Sequence, residues 1–140
     1  MKKGVDYIGV AVGAMVFNQA GQVLIAHRGP KAKNESGKWE FPGGSVEMFE
    51  SLEEAIHREI REEFGIEVKI VEMLDVVNHI LKEENQHWIG IAYIAEHISG
   101  ELQLKEPEKI DAAKWVNLTD LDQYTLTKPT QSNLIAYYRK

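Results

Sequence analysis

The stretch from Ser51 to Gly65 leaves little freedom in its local structure. Ser51-Leu52-Glu53-Glu54 has the form of a capping box, a serine followed three residues later by an acid. Gly65 supplies a left-handed stop. The residues between predict a helix over Leu52–Phe64. At about 100° per residue, Leu52, Ala55, Ile56, Ile60 and Phe64 collect on one core-facing stripe, with Glu54, Arg58 and Arg61 on the opposite face. Two acids break the pattern, because Glu59 and Glu63 fall inside the apolar stripe, with Glu62 at its edge. A lone acid so placed reaches water at the rim. Two acids one turn apart repel each other, and no base shares their face. A hard cation such as Mg²⁺ or Mn²⁺ would offset that repulsion. The rim and the metal both remain open on helix geometry alone.

The rest of the chain reads as alternating elements in one domain spanning residues 1–140. Tyr7–Phe17 and Gln22–Arg28 are apolar and β-branched, joined by the turn-like Asn18–Gly21. Gly29–Lys38 is polar, with two glycines and a proline, and predicts a surface loop. Trp39–Phe41 predicts a short strand before a Pro42-Gly43-Gly44 turn. Ile66–Leu81 and Gln86–Ser99 predict strands around the turn Glu83-Glu84-Asn85, Ala113–Val116 another strand, and Ser132–Tyr138 a terminal helix. Strands interrupted and closed by helices give a mixed α/β layered fold.

Composition excludes several chemistries. There is no cysteine, so disulfides, thiolate metal sites and thiol nucleophiles are ruled out. No apolar run reaches the roughly 18 residues of a membrane span, and the run Ile8–Phe17 is expected to be a core strand of a cytoplasmic protein. The 16 Lys and Arg against 22 Asp and Glu give a net charge of −6. That excess lies entirely between Glu47 and Glu67, where eight acids face two bases. This distribution attracts a divalent cation and offers no basic surface to a nucleic-acid polymer.

Beyond composition, the residues spell a known pattern. Gly44, Glu50 and the run Arg58-Glu59-Ile60-Arg61-Glu62-Glu63-Phe64-Gly65-Ile66, at their spacing, resemble the Nudix box of the MutT-like hydrolases. Gly37-Lys38-Trp39-Glu40-Phe41-Pro42-Gly43-Gly44 resembles the approach to that box. The resemblance implies a Nudix-type α/β/α sandwich with a mixed central sheet. It also implies Mg²⁺-dependent (or Mn²⁺-dependent) hydrolysis of a nucleoside diphosphate linked to another group. Glu59, Glu62 and Glu63 would hold the metal together with the backbone carbonyl of Gly44, and Glu50 with Arg58 would anchor the loop to the helix. The catalytic set is then Arg58, Glu62, Glu63 and Glu108, with Glu62 and Glu108 as alternative bases for the attacking water. Glu108 reads equally as an acid on a polar loop. Arg28, at a strand end, reads either as a phosphate contact or as a surface charge. Trp39, Trp88 and Trp115 are expected in the core.

The substrate signal is thinner. A proline near Leu81, which marks ADP-ribose members, and a tyrosine near Glu83, which marks dinucleoside polyphosphate members, are both absent. Val76–His87 and Glu106–Lys109 resemble the nucleoside triphosphate diphosphatase branch. That implies a small-molecule (d)NTP split to (d)NMP and pyrophosphate; a homodimer is allowed by the resemblance. Rival readings are an ADP-ribose or nucleotide-sugar pyrophosphatase, and a catalytically silent nucleotide-binding module. The second is disfavoured by the intact acids of the box.

Overall fold

The computed structural model describes residues 1–140. Seven strands form one mixed sheet: β1 (Gly9–Phe17), β2 (Val23–Arg28), β3 (Trp39–Glu40), β4 (Gly43–Ser45), β5 (Glu67–Leu81), β6 (Gln86–Ser99) and β7 (Ile110–Val116). Two helices, α1 (Leu52–Phe64) and α2 (Lys128–Tyr138), cover it. The centre is the parallel pair β1–β6, in register from Gly9 opposite Trp88 to Phe17 opposite Glu96. The long antiparallel hairpin β5–β6 extends the sheet on one side.

Period-two alternation puts a helix on each face. From β1 and β2, Val12, Ala14, Val16, Leu24 and Ala26 pack with Ala55, Ile56, Ile60 and Phe64 of α1. The alternate residues Met15, Val23 and Ile25 join Phe41, Val116 and Leu121 in a second core, flanked by Leu134 and Tyr137 of α2. This is the expected α/β/α sandwich. The helix α1 runs over the expected residues, with both capping-box hydrogen bonds formed and Gly65 left-handed at φ 68°.

The sheet does not stay closed between its first two strands. β1 and β2 pair at Phe17–Val23 and then diverge. Beyond that point β1 takes β4 as its neighbour on that side, whereas β2 pairs with β3 and, on its other edge, β7. Gly43-Gly44, expected as a turn, is therefore a strand edge. It can be one because it lacks side chains: a Cβ on Gly43 would stand 2.0 Å from the Val12 carbonyl oxygen. Two other boundaries differ from expectation. β7 begins at Ile110 rather than Ala113, and α2 begins at Lys128 rather than Ser132. The helix starts earlier because Thr127 caps it by accepting from Thr130 N and Pro129 fits its first turn.

Phe49 carries a local strain. It is fully exposed yet holds a left-handed φ of 67°, which costs a residue with a Cβ about 1 kcal/mol or more. Phe49→Gly should therefore stabilise the protein by about 0.5–1 kcal/mol, less than the full strain because glycine also loosens the unfolded chain. Denaturant titration of the two proteins measures this.

Candidate active site

The pocket opens where the sheet splits, between β4 with α1 on one side and the ends of β2, β3 and β7 on the other. Glu59 and Glu63 line it, 7% and 4% exposed, so the two acids on the apolar stripe are buried and do not snorkel to the rim. Burial, a hydrogen bond to Glu59 and the charge of Glu40 together push the Glu63 carboxyl up to about 10. Glu63 thus resists ionisation beside Glu59 in the absence of a cation. For scale, two unit charges about 4 Å apart at an effective dielectric near 20 interact by roughly 4 kcal/mol.

Arg58 holds the neighbouring groups in place. Its Nε and Nη2 donate to both oxygens of Glu50 (2.5 and 2.8 Å), and Nη2 also donates to the Ser45 carbonyl (3.0 Å). Nη1 donates to Glu59 Oε1 at 2.8 Å and to Glu62 Oε2 at 3.4 Å. The hydrogen bonds from Arg58 hold the Glu50 carboxyl well below the usual carboxylate range. One guanidinium thereby ties the loop before α1 to the acids on it, and places Glu59 and Glu62 against a single nitrogen. Glu62 is held beside Glu59 by Arg58, with its side chain 54% exposed.

Gly44 faces the same acids. A Cβ there would stand 2.3 Å from the Glu59 carboxyl carbon, so the backbone approaches the carboxylate as only glycine allows. Buried paired carboxylates against a bare peptide edge are a hard-oxygen donor set, and fit a divalent cation.

The other candidates fall differently. Arg28 lines the pocket, but Nη1 is paired with Glu40 at 2.8 Å while Nε and Nη2 donate to Asn34. As placed, it fastens the Gly29–Lys38 loop to β3 and presents no open fork to a phosphate. Glu108 is not brought to the acids; it is exposed and paired with Lys31, on the outside of the loop that leads into β7. Trp39 and Trp115 pack against the two cores, as expected. Trp88 is buried but borders the pocket.

Sequence reading missed four pocket residues. Glu40, half-buried beside Arg28, is held above the ordinary carboxyl range by desolvation despite that partner, and its charge acts on Glu63. Its position two residues before the Pro42-Gly43-Gly44 segment, next to a core-facing Trp39, was the available signal. Lys33 and Lys109 come from separate polar loops, and no charge count along the chain brings them together. Glu35, buried with φ 45°, accepts from Lys128 N and Lys38 Nζ and stands 3.1 Å from His79 Nε2. Burial alone would raise its pKa, but these contacts hold it down at about 2. It pins the loop to the start of α2.

Comparison with known proteins agrees with this geometry. A model of the NUDIX domain matches residues 8–138. The chain belongs to the Nudix family. Among Nudix relatives, the CTP pyrophosphohydrolase of Escherichia coli is 35% identical over 118 residues, covering 84% of this chain and 82% of that one. The 8-oxo-dGDP phosphatase NUDT18 of Danio rerio is 34% identical over 119 residues, covering 82% of this chain, which spans only 33% of that longer relative. The crystal structure of a MutT NUDIX hydrolase from Burkholderia pseudomallei superposes with a TM-score of 0.83 at 38% identity, covering 91% of this chain and 96% of that one.

Two tests follow from the Nudix acids. Glu63 binds its proton more tightly folded than unfolded. Stability in metal-free buffer should therefore fall as pH rises from the ordinary carboxyl range near 4.5 towards 10. Glu63→Gln should remove most of that slope and be at least as stable as the parent at pH 8, as thermal melts across pH in EDTA will show. Gly44→Ala should displace only the flexible end of Glu59. We expect a stability change below about 1 kcal/mol with activity down about 100-fold, since an ångström of misplacement is enough for such a loss.

Proposed function

We propose that this chain is a divalent-metal-dependent nucleotide pyrophosphohydrolase, acting by preference on a nucleoside triphosphate or deoxynucleoside triphosphate and releasing the monophosphate and pyrophosphate. The observation that carries it is the buried Glu59–Glu63 pair against Gly44, in a pocket that Lys33 and Lys109 also line. Such a pair is poor design for stability and good design for holding Mg²⁺. Glu59 and Glu63, with Glu62 and the Gly44 carbonyl, would hold the ion. Bound there, Mg²⁺ would supply charge neutralisation at the phosphates and acidify water.

The chain's own residues supply the rest. Lys33 and Lys109 face the acids across the pocket and are suited to phosphate oxygens. Arg58 keeps Glu59 and Glu62 aligned while bracing the loop through Glu50 and Ser45. Glu62, whose exposed carboxylate can exchange protons with bulk, would take the proton from the attacking water. Glu108 is too far out on its loop for that role as placed.

Support for a triphosphate substrate comes from the relative named CTP pyrophosphohydrolase, aligned over most of both chains, and from the sequence likeness of Val76–His87 to the triphosphatase branch. Chromatographic product analysis with Mg²⁺, over canonical and oxidised (d)NTPs, diphosphates and ADP-ribose, tests both levels. We expect kcat/KM for some (d)NTP at least about tenfold above ADP-ribose, a margin of only about 1.4 kcal/mol. Glu63→Gln should lose at least about 100-fold in kcat, roughly 2.7 kcal/mol. Faster cleavage of ADP-ribose overturns the substrate; full activity of Glu63→Gln, or in EDTA, overturns the chemistry.

A further inference from the structure

The acid-lined pocket does not end at its own walls. Lys33 and Trp88 belong equally to a second cleft, whose remaining lining is Lys2, Lys3, Val5 and Gln86. Three lysines thus line a small concavity on a protein of net charge −6. The lysine–carboxylate pairs of the molecule are Lys31–Glu108, Lys38–Glu35 and Lys140–Glu72, and Lys2, Lys3 and Lys33 belong to none of them. Lys3 Nζ donates only to the Val46 carbonyl, and Asp6, the nearby acid, accepts from the backbone nitrogen of Lys2.

The cleft is built rather than incidental. Gln86 donates to the Lys33 carbonyl at 2.7 Å and accepts from Asn34 at 2.8 Å and from the Trp88 indole at 2.9 Å. These bonds pin the Gly29–Lys38 loop to the start of β6. Trp88 lies against Gly4 and Gly9, where any Cβ would stand 2.3–2.5 Å from its ring, and Lys33 Nζ sits 5.3 Å over its centroid. Partial desolvation, then repulsion by Lys109 and Lys3, lower the Lys33 pKa. An anion would relieve that repulsion, and one attached to the substrate would be drawn along the wall from Lys109 past Lys33 to Lys3.

We propose that the Lys2–Lys3–Lys33–Trp88 cleft is an anion subsite that receives the phosphate tail of the substrate beyond the bond that is cut. The proposal rests on the triphosphate reading of the pocket, and gives a physical reason for preferring a pyrophosphate leaving group over the less highly charged sugar phosphate that ADP-ribose would release.

The test uses inorganic tripolyphosphate and the double variant Lys2→Gln/Lys3→Gln, both positions being at the surface edge of the cleft. Calorimetry in EDTA at low salt should show tripolyphosphate binding to the parent and at least tenfold weaker to the variant, with a shallower salt dependence. Steady-state kinetics should show tripolyphosphate competing with the (d)NTP, and the variant's (d)NTP to ADP-ribose ratio of kcat/KM falling at least fivefold. Equal tripolyphosphate affinity in variant and parent overturns the subsite, as does an unchanged ratio. Non-competitive inhibition also overturns it, by showing an anion site separate from the substrate's tail. If no nucleoside triphosphate is hydrolysed but tripolyphosphate binding still falls in the variant, the triphosphate reading fails and the anion site stands.

Discussion

Arg58 is the contact on which the functional half of the molecule depends. Its guanidinium bonds in two places to Glu50, once to the Ser45 carbonyl, and to the carboxylates of Glu59 and Glu62. Arginine suits this task because its donors are fixed in a plane and it stays charged even when mostly enclosed. Without it, Glu59 would be a buried charge with no cationic partner, and the loop between β4 and α1 would lose its fixed end. Removing one member of such an enclosed network leaves the others unpaired, which is the expensive outcome.

The tension left after that contact is informative. Most of α1 follows ordinary rules of amphipathic packing: a cap, a stop, and apolar residues on the side that meets the sheet. Glu59 and Glu63 violate them, and the fold accommodates the violation by pairing Glu59 with Arg58 and holding the Glu63 carboxyl far above its ordinary range. Departures from local rules concentrate at working sites because the site needs chemistry that packing alone would never select.

How much of this could be read from the sequence depends on whether the signal was local. The helix α1 and its misplaced acids were legible, since periodicity and capping are properties of neighbouring residues. The central strands were legible from their alternation. Gly43-Gly44 was not, because a glycine pair at a sheet edge and one in a turn look alike until the strand beside it is known. The start of α2 at Lys128 is hidden for a similar reason, as Pro129 signals a break or a first turn with equal force. The basic wall was hidden more thoroughly. Lys3, Lys33 and Lys109 lie far apart along the chain, and only the fold collects them. Arg28 and Glu108 show the converse: residue types suited to a role, whose side chains are engaged elsewhere.

The divergence of β1 from β2 has a consequence for how such a protein can change over generations. The carboxylate wall rides on β4 and α1, braced by Arg58. The opposite wall is carried by the loops around β2 and β7, fastened through Arg28, Glu35 and Gln86. The two halves meet at the pocket yet are secured by separate sets of bonds. Substitutions in the loops can therefore reshape what is accepted while the bond-breaking apparatus is inherited intact. A scaffold partitioned in this way can diversify its diet without reinventing its teeth.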